Sequence, residues 1–253
     1  MTRFSANLGF LWNDQPLADA IHAAKAAGFD AVECHWPYDQ DIDAVKAALQ
    51  ATGLSMLGLN TVRGNVAAGE NGLAALVGRE EEARAAIYRA LACADALDAG
   101  AVHVMAGFAA GQEAEACFIG NLRYAAKAAQ AAGRTILIEP LNGYDAPGYF
   151  LDHSDKARRI IEAVGAPNLK LMFDCYHIQR LEGNLTNKLT DLLPIIGHIQ
   201  FASVPDRGAP DHGEINYQHI YAHLATLGYD APLGAEYKLD GDTDKSLGWL
   251  RNV

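Results

Sequence analysis

Four short apolar segments in the second half of the chain each end in a polar residue that carries oxygen. They are ILIE with Glu139, LKLMFD with Asp174, GHIQ with Gln200 and PLGAE with Glu236. The ends of neighbouring parallel strands meet at one edge of a sheet, so the pattern predicts one shared site. Such oxygen ligands suit Mg²⁺ or Mn²⁺ and disfavour Zn²⁺. Each residue taken alone has another explanation, as a loop cap or an outward-facing partner of a salt bridge.

Alternation along the strands predicts which side chains lie beneath these polar ends. The residue two positions earlier in each segment shares a face with the polar residue. These four residues are Leu137, Met172, His198 and Gly234. If these faces point into a barrel, the polar residues form its top layer. Ionised carboxylates buried there are costly unless they are paired or bind a metal.

Strand-like and helix-like segments alternate along the whole chain. Short apolar, β-branched or aromatic runs predict strands at about 4–10, 31–35, 55–60, 101–106, 135–141, 169–174, 197–202 and 232–237. Ala-rich stretches predict helices at about 15–27, 40–52, 79–98, 112–131, 153–163, 186–195, 216–227 and 243–251. Alternation of this kind favours an α/β fold, a closed (β/α)₈ TIM barrel. The alternative is an open doubly wound sheet, but neither a GxGxxG after the first strand nor a GxxxxGK[ST] is present.

Chain length and the absence of a composition break predict one domain over residues 1–253. Two connections, 61–78 and 203–215, are longer than a link requires and are rich in Gly, Asn, Asp and Pro. In a barrel these loops follow strands and lie at the end where active sites form.

Charge and composition exclude several classes of protein. The net charge of −11 argues against a general binder of nucleic acid or anionic membranes. No apolar run is long enough for a membrane span, and no secretory signal is visible, so we expect a cytoplasmic protein. Four cysteines without CxxC spacing predict reduced thiols rather than a zinc site. Oligomeric state is left open, and a homo-oligomer is compatible with the sequence.

Longer motifs around the four strand ends resemble the hydroxypyruvate isomerase family, which belongs to the xylose isomerase-like barrels. They are DCYHIQRLEGNLT, GHIQFASVPDRGAPDHGEINY and AEYK, and the resemblance runs almost from end to end. It implies that Glu139 and Glu236 transfer protons and that both, with Asp174 and Gln200, are ligands of a divalent metal. Related epimerases carry His at the position of Gln200, a difference that favours the hydroxypyruvate isomerase branch over ketose 3-epimerases. Asp145, where those epimerases tend to have Glu, favours the same branch.

An anionic substrate needs a cation in this acidic chain, and two are candidates. Arg207 lies in the connection 203–215, and the resemblance implies that it contacts substrate oxygens. Lys238 follows Glu236 by two residues and shares its inward face if the strand continues. The resemblance also assigns a substrate contact to His177, which we expect in a loop after Asp174. A His that only forms hydrogen bonds within that loop is the alternative.

The residues and the resemblance together predict an isomerase of small 2-oxo-3-hydroxy acids. The expected reaction converts hydroxypyruvate to 2-hydroxy-3-oxopropanoate (tartronate semialdehyde) by metal-assisted proton transfer through an enediolate. IEPLN and DAPGYFL favour hydroxypyruvate, whereas LGLNT and VHVMAG favour a 2-oxo-tetronate isomerase. A phosphodiesterase of the endonuclease type would need a His-rich zinc cluster and a basic face. A non-catalytic sugar-acid binding protein would not need both glutamates.

Overall fold

A computed structural model describes residues 2–239 and 241–252. Its strands form one sheet in which every adjacent pair is parallel. The strands of the described residues are β1 (Phe4–Asn7), β2 (Ala31–Glu33), β3 (Ser55–Met56), β4 (Gly58–Asn60), β5 (Ala101–His103), β6 (Thr135–Ile138), β7 (Leu169–Asp174), β8 (Ile196–Phe201) and β9 (Leu233–Ala235). Their order in the sheet is β3-β2-β1-β9-β8-β7-β6-β5-β4.

The two edge strands of this order, β3 and β4, are consecutive in the chain, and together they close the barrel. Only Leu57 separates them, and its N–H donates to the Val32 carbonyl on the β2 side at 2.7 Å. On the other side, the N–H of Gly100 donates to the Met56 carbonyl at 3.0 Å. The predicted third strand therefore bridges both neighbours, with a break at Leu57. The predicted TIM barrel is confirmed. The division of the chain into a single domain stays a prediction.

Helices cover the outside of the barrel. The described residues form α1 (Leu17–Ala27), α2 (Ile42–Thr52), α3 (Glu80–Leu97), α4 (Gly111–Gln130), α5 (Ser154–Val164), α6 (Cys175–Leu181), α7 (Leu185–Leu192), α8 (Tyr217–Thr226) and α9 (Thr243–Ser246), with short 3₁₀ turns between some of them. Gly28 and Gly53 end α1 and α2 in the left-handed conformation, with φ of 97° and 67°, which glycine adopts without strain. None of the described helices is long and apolar enough to cross a membrane.

The interior of the barrel follows the predicted alternation. Leu137 and Met172 pack with Ala101 in a small buried cluster separate from the main core. Their strand neighbours Ile136 and Phe173 belong to the main core cluster. Since successive side chains of a strand point to opposite faces, Glu139 and Asp174 lie above Leu137 and Met172 on the inner face.

Helix α6 was not predicted, and it corrects the expected position of His177. The side chain of Asp174 accepts a hydrogen bond from the Tyr176 N–H at 2.8 Å and caps the helix directly at the end of β7. His177 therefore lies in the first turn of α6 and not in a loop.

Candidate active site

Three of the four predicted metal ligands present unsatisfied oxygen atoms at the end of the barrel. Glu139, Asp174 and Gln200 are all buried. Glu139 Oε1, Asp174 Oδ2 and Gln200 Oε1 have no hydrogen-bond partner among the residues that the structure describes. Buried acceptors without partners are destabilising, and a cation bound between them would remove that cost. The donor set therefore fits a hard divalent metal.

The pKa values of the two carboxylates reflect the same uncompensated burial. Burial raises the pKa of Glu139 well above its ordinary value, and the charges of Glu236 and Asp174 raise it further. Burial likewise raises the pKa of Asp174 to about 7, although Arg207 opposes the shift. A divalent cation would favour the ionised form of both groups.

Glu236, the fourth predicted ligand, already has partners for both oxygens. Oε1 accepts a hydrogen bond from Asn7 Nδ2 at 3.0 Å and lies 2.9 Å from His35 Nε2. Oε2 accepts one from Arg207 at 2.7 Å. Burial alone would raise its pKa, but Arg207 and His35 outweigh burial and lower the pKa to about 2. Glu236 is thus a fixed, ionised carboxylate, and Oε2, which accepts one hydrogen bond, keeps a lone pair for a metal.

Arg207 connects the two sides of the site. Its guanidinium contacts Glu236 and lies 3.7 Å from Asp174 Oδ2. The backbone holds it there with a φ of 57°, a left-handed conformation that non-glycine residues adopt rarely and often at functional positions. Its Nε is buried without a hydrogen-bond partner among the described atoms. Arg207 therefore retains N–H donors, Nε among them, for a ligand oxygen.

His177 lies against both unsatisfied carboxylates, with Nε2 at 3.7 Å from Asp174 Oδ2 and 4.0 Å from Glu139 Oε1. The three residues form a buried group that can hold a metal ion. The hydrogen bonds of the ring, however, indicate another role. Nδ1 accepts a hydrogen bond from the backbone N–H of Asn142 at 3.0 Å. Burial and Arg207 lower the pKa of His177 to about 3, so the ring is neutral and its proton is on Nε2. His177 therefore presents a donor to the site.

The orientation of Asn142 supports this tautomer of His177. Asn142 Oδ1 accepts from the backbone N–H groups of Tyr144 and Asp145, at 3.1 and 3.0 Å. Its Nδ2 must then point the other way, towards His177 Nδ1 at 2.8 Å and Asp145 Oδ2 at 3.1 Å. Two donors meet Nδ1, which leaves Nε2 as the protonated atom.

Lys238 lies away from this group, and its predicted inward position is wrong. Strand β9 ends at Ala235, so alternation does not continue to Lys238. The side chain is exposed and lines surface clefts with Leu239 and Asp242. Its backbone is connected to the site, since its N–H donates to the Arg207 carbonyl at 2.7 Å.

The sequence analysis missed the residues that the first strands and β5 contribute. Asn7 and His35 hold Glu236, while buried Glu33 contacts His198 and Gln200. The missed residues also include His103, whose Nδ1 lies 3.7 Å from Glu139 Oε2. Burial lowers the pKa of His103 to about 4. Asn7 and Glu33 each end an apolar run, in FSAN and AVE, so the signal used for the later strands was present in these as well.

Comparison with known proteins identifies the family. Residues 21–253 match the protein family described as xylose isomerase-like TIM barrel. The chain belongs to the xylose isomerase-like TIM barrel family. Within this family it is 46% identical to the 2-oxo-tetronate isomerase of Cupriavidus necator, over 99% of this chain and 98% of that protein. It is 38% identical to the hydroxypyruvate isomerase of Escherichia coli K12, with the same coverage of 99% and 98%.

Superposition on a solved structure shows how closely its backbone matches that of this chain. The crystal structure titled AP endonuclease, family 2, from Brucella melitensis superposes with a TM-score of 0.95 at 39% identity. The superposition covers 100% of this chain and 99% of that one. The resemblance to hydroxypyruvate isomerases and their xylose isomerase-like relatives is therefore confirmed along the whole chain.

Proposed function

We propose that this enzyme isomerises hydroxypyruvate to 2-hydroxy-3-oxopropanoate (tartronate semialdehyde). Relatives that match nearly the whole chain are named isomerases of hydroxy-oxo acids, and the chain is an isomerase of that class. The observation that carries the proposal is the set of three unsatisfied buried oxygens, from Glu139, Asp174 and Gln200, close to the Arg207–Glu236 pair.

The proposed cofactor is Mg²⁺ or Mn²⁺, held by Glu139, Asp174, Gln200 and Glu236. When bound, the metal supplies positive charge that acidifies the substrate and stabilises the negative charge of the enediolate. All four ligand atoms would be oxygen, which favours these two ions over Zn²⁺.

The proton transfers are assigned to the two glutamates. The reaction removes a proton from the hydroxyl-bearing carbon and returns one to the neighbouring carbonyl carbon, while the hydroxyl oxygen loses its proton and the former carbonyl oxygen gains one. Three hydrogen-bond partners fix Glu236, whereas Glu139 Oε1 has none in the described residues, which leaves the Glu139 carboxylate available to both the metal and a substrate. We assign the two transfers to these carboxylates, one acting as base and the other as acid. The Nε2–H of His177 can donate a hydrogen bond to a substrate oxygen.

The same site accommodates a second candidate reaction, the isomerisation of a 2-oxo-tetronate. The 46% identity to the Cupriavidus necator enzyme favours this four-carbon substrate. Assaying both acids with one enzyme preparation tests the assignment. We expect kcat/KM to be higher for hydroxypyruvate, and a higher value for 2-oxo-tetronate would reverse the assignment while retaining the reaction type.

An endonuclease activity receives little support from this site, although the Brucella melitensis structure carries that title. Among the described residues, the His, Cys, Asp and Glu side chains that could hold a metal together are two carboxylates and one His, not a His-rich cluster. The net charge of −11 also opposes binding of a polyanion.

Replacing Arg207 by Ala tests the proposed binding of the substrate carboxylate. We expect KM to rise about 10- to 100-fold, because a hydrogen bond to a charged group contributes about 1.5–3 kcal/mol. Steady-state kinetics with hydroxypyruvate provide the measurement. Lys238→Ala is the matched control, since it removes an exposed cation, and its KM should stay near that of the wild type. An unchanged KM in Arg207→Ala would remove Arg207 from substrate binding.

A further inference from the structure

A buried acid, Glu33, lies directly against the metal ligand Gln200. Only 3% of Glu33 is exposed, at the end of β2. Its Oε1 accepts a hydrogen bond from Gln200 Nε2 at 3.2 Å, and its Oε2 lies 2.6 Å from His198 Nε2. Among the described residues, Glu33 forms its side-chain hydrogen bonds with Gln200 and His198, so it touches the proposed ligand group at Gln200.

The chemistry of this contact determines which way the Gln200 amide points. A carboxylate only accepts hydrogen bonds, so Glu33 attracts the NH₂ group of Gln200 and disfavours the reversed amide. Gln200 Oε1 is then directed to the other side, where it is buried without a partner among the described groups. Asp174, another proposed ligand, is the register partner of Gln200 across β7 and β8. The Glu33 hydrogen bond therefore turns the amide oxygen, and not the nitrogen, towards the ligand group.

A glycine in β9 provides the space for this arrangement. A Cβ at Gly234 would lie 2.4 Å from Glu33 Oε1, 2.8 Å from Gln200 Cγ and 2.9 Å from His198 Nε2. The three side chains therefore occupy the volume that any larger residue at position 234 would fill. The backbone of position 234 lies so close to Glu33 and Gln200 that only glycine fits there without a shift, and this observation does not depend on the hydrogen bonds.

We propose that Glu33 is a positioning residue, which fixes the Gln200 amide so that its oxygen binds the divalent metal, with His198 holding Glu33 in place. This proposal rests on the proposed metal site. Partners that orient a metal ligand typically change metal affinity by about 10- to 100-fold when they are replaced. We expect a loss in this range for Glu33→Gln, because an amide at position 33 can donate to Gln200 Oε1 and stabilise the reversed orientation of the Gln200 side chain.

The test compares Glu33→Gln in two backgrounds, with Mn²⁺ affinity as the readout. In the native background, titration calorimetry should give a dissociation constant about 10- to 100-fold higher for Glu33→Gln than for the wild type. In Gln200→Glu both terminal atoms are oxygen, so orientation no longer matters. Adding Glu33→Gln there also removes the repulsion between two adjacent carboxylates, so it should not weaken Mn²⁺ binding. Equal losses in the two backgrounds would mean that Glu33 acts only through its charge or through packing, and would overturn the proposal.

A second variant displaces Glu33 without changing any charge. Gly234→Ala should weaken Mn²⁺ binding by about fivefold or more, since the new Cβ moves Glu33 or Gln200. Gly120→Ala is the matched control, because a Cβ at Gly120 in α4 meets no atom within 4 Å. Thermal melting of every variant separates misfolding from lost affinity.

The outcomes distinguish this inference from the metal site on which it rests. A wild-type protein that fails to bind Mn²⁺ at one ion per chain would remove the metal site and the inference together. A wild type that binds Mn²⁺, combined with folded Glu33→Gln and Gly234→Ala variants of unchanged affinity, would overturn only the role of Glu33.

Discussion

Replacing Glu236 by Gln should lower kcat by about 10²- to 10⁴-fold, the usual contribution of a general acid or base. Gln has nearly the shape of Glu, so the hydrogen bond from Asn7 to Oε1 can persist. The variant loses the ability to take up and release a proton. Steady-state kinetics at saturating Mn²⁺ measure the effect, because Glu236 is also a proposed ligand. Glu139→Gln should show a loss of the same order.

Melting temperature and circular dichroism serve as the control for both variants. A folded Glu236→Gln protein with near-wild-type kcat would exclude a proton-transfer role for Glu236. Loss of activity in Glu139→Gln alone would leave a mechanism with a single acid–base residue.

Removing the divalent metal should reduce turnover at least about 100-fold, because a bound metal contributes several kcal/mol to stabilising the transition state. The sequence predicts this requirement, and the unsatisfied oxygens of Glu139, Asp174 and Gln200 support it. The measurement is the rate after treatment with a chelator and gel filtration, followed by addition of one ion at a time. Mg²⁺ or Mn²⁺ should restore the rate better than Zn²⁺ because the ligand atoms are oxygen.

The control for metal removal is Asp174→Asn, which keeps the side-chain shape and an oxygen that can cap α6 but offers a weaker ligand. Its rate should need a higher Mn²⁺ concentration for half-maximal restoration than the wild type. Full activity of chelated, metal-free wild type would show that the reaction proceeds on the side chains alone.

Much of the fold follows from local patterns in the sequence. Alternating strands and helices predicted the barrel, and the inner face was predicted correctly for Leu137 and Met172. Several strands are shorter than the apolar runs suggested, for example Thr135–Ile138 against 135–141, whereas Leu169–Asp174 has the predicted bounds. Helix α6 was missed because Asp174 acts both as the end of β7 and as a helix cap, and sequence periodicity does not separate these roles.

The site was less predictable where it depends on contacts between distant segments. Gln200 was identified by its position at a strand end, but Glu33, 167 residues away, was not assigned to it. Lys238 was misplaced because its inward position assumed a strand that in fact ends at Ala235. The tautomer of His177 depends on Asn142, 35 residues earlier in the chain. Such pairings are set by the closure of the barrel and leave no local sequence signal.

Deuterium incorporation tests most directly the claim that two glutamates move protons on a bound hydroxy-oxo acid. Hydroxypyruvate is incubated in D₂O with the Mn²⁺ enzyme, and the deuterium in the product is followed by NMR, which distinguishes the aldehyde product from the keto substrate and locates the label. We expect deuterium at the carbon that receives the proton with wild-type enzyme, and incorporation reduced at least about 100-fold with Glu139→Gln or Glu236→Gln. Product that forms at the wild-type rate in both variants, with the same deuterium content, would contradict the account.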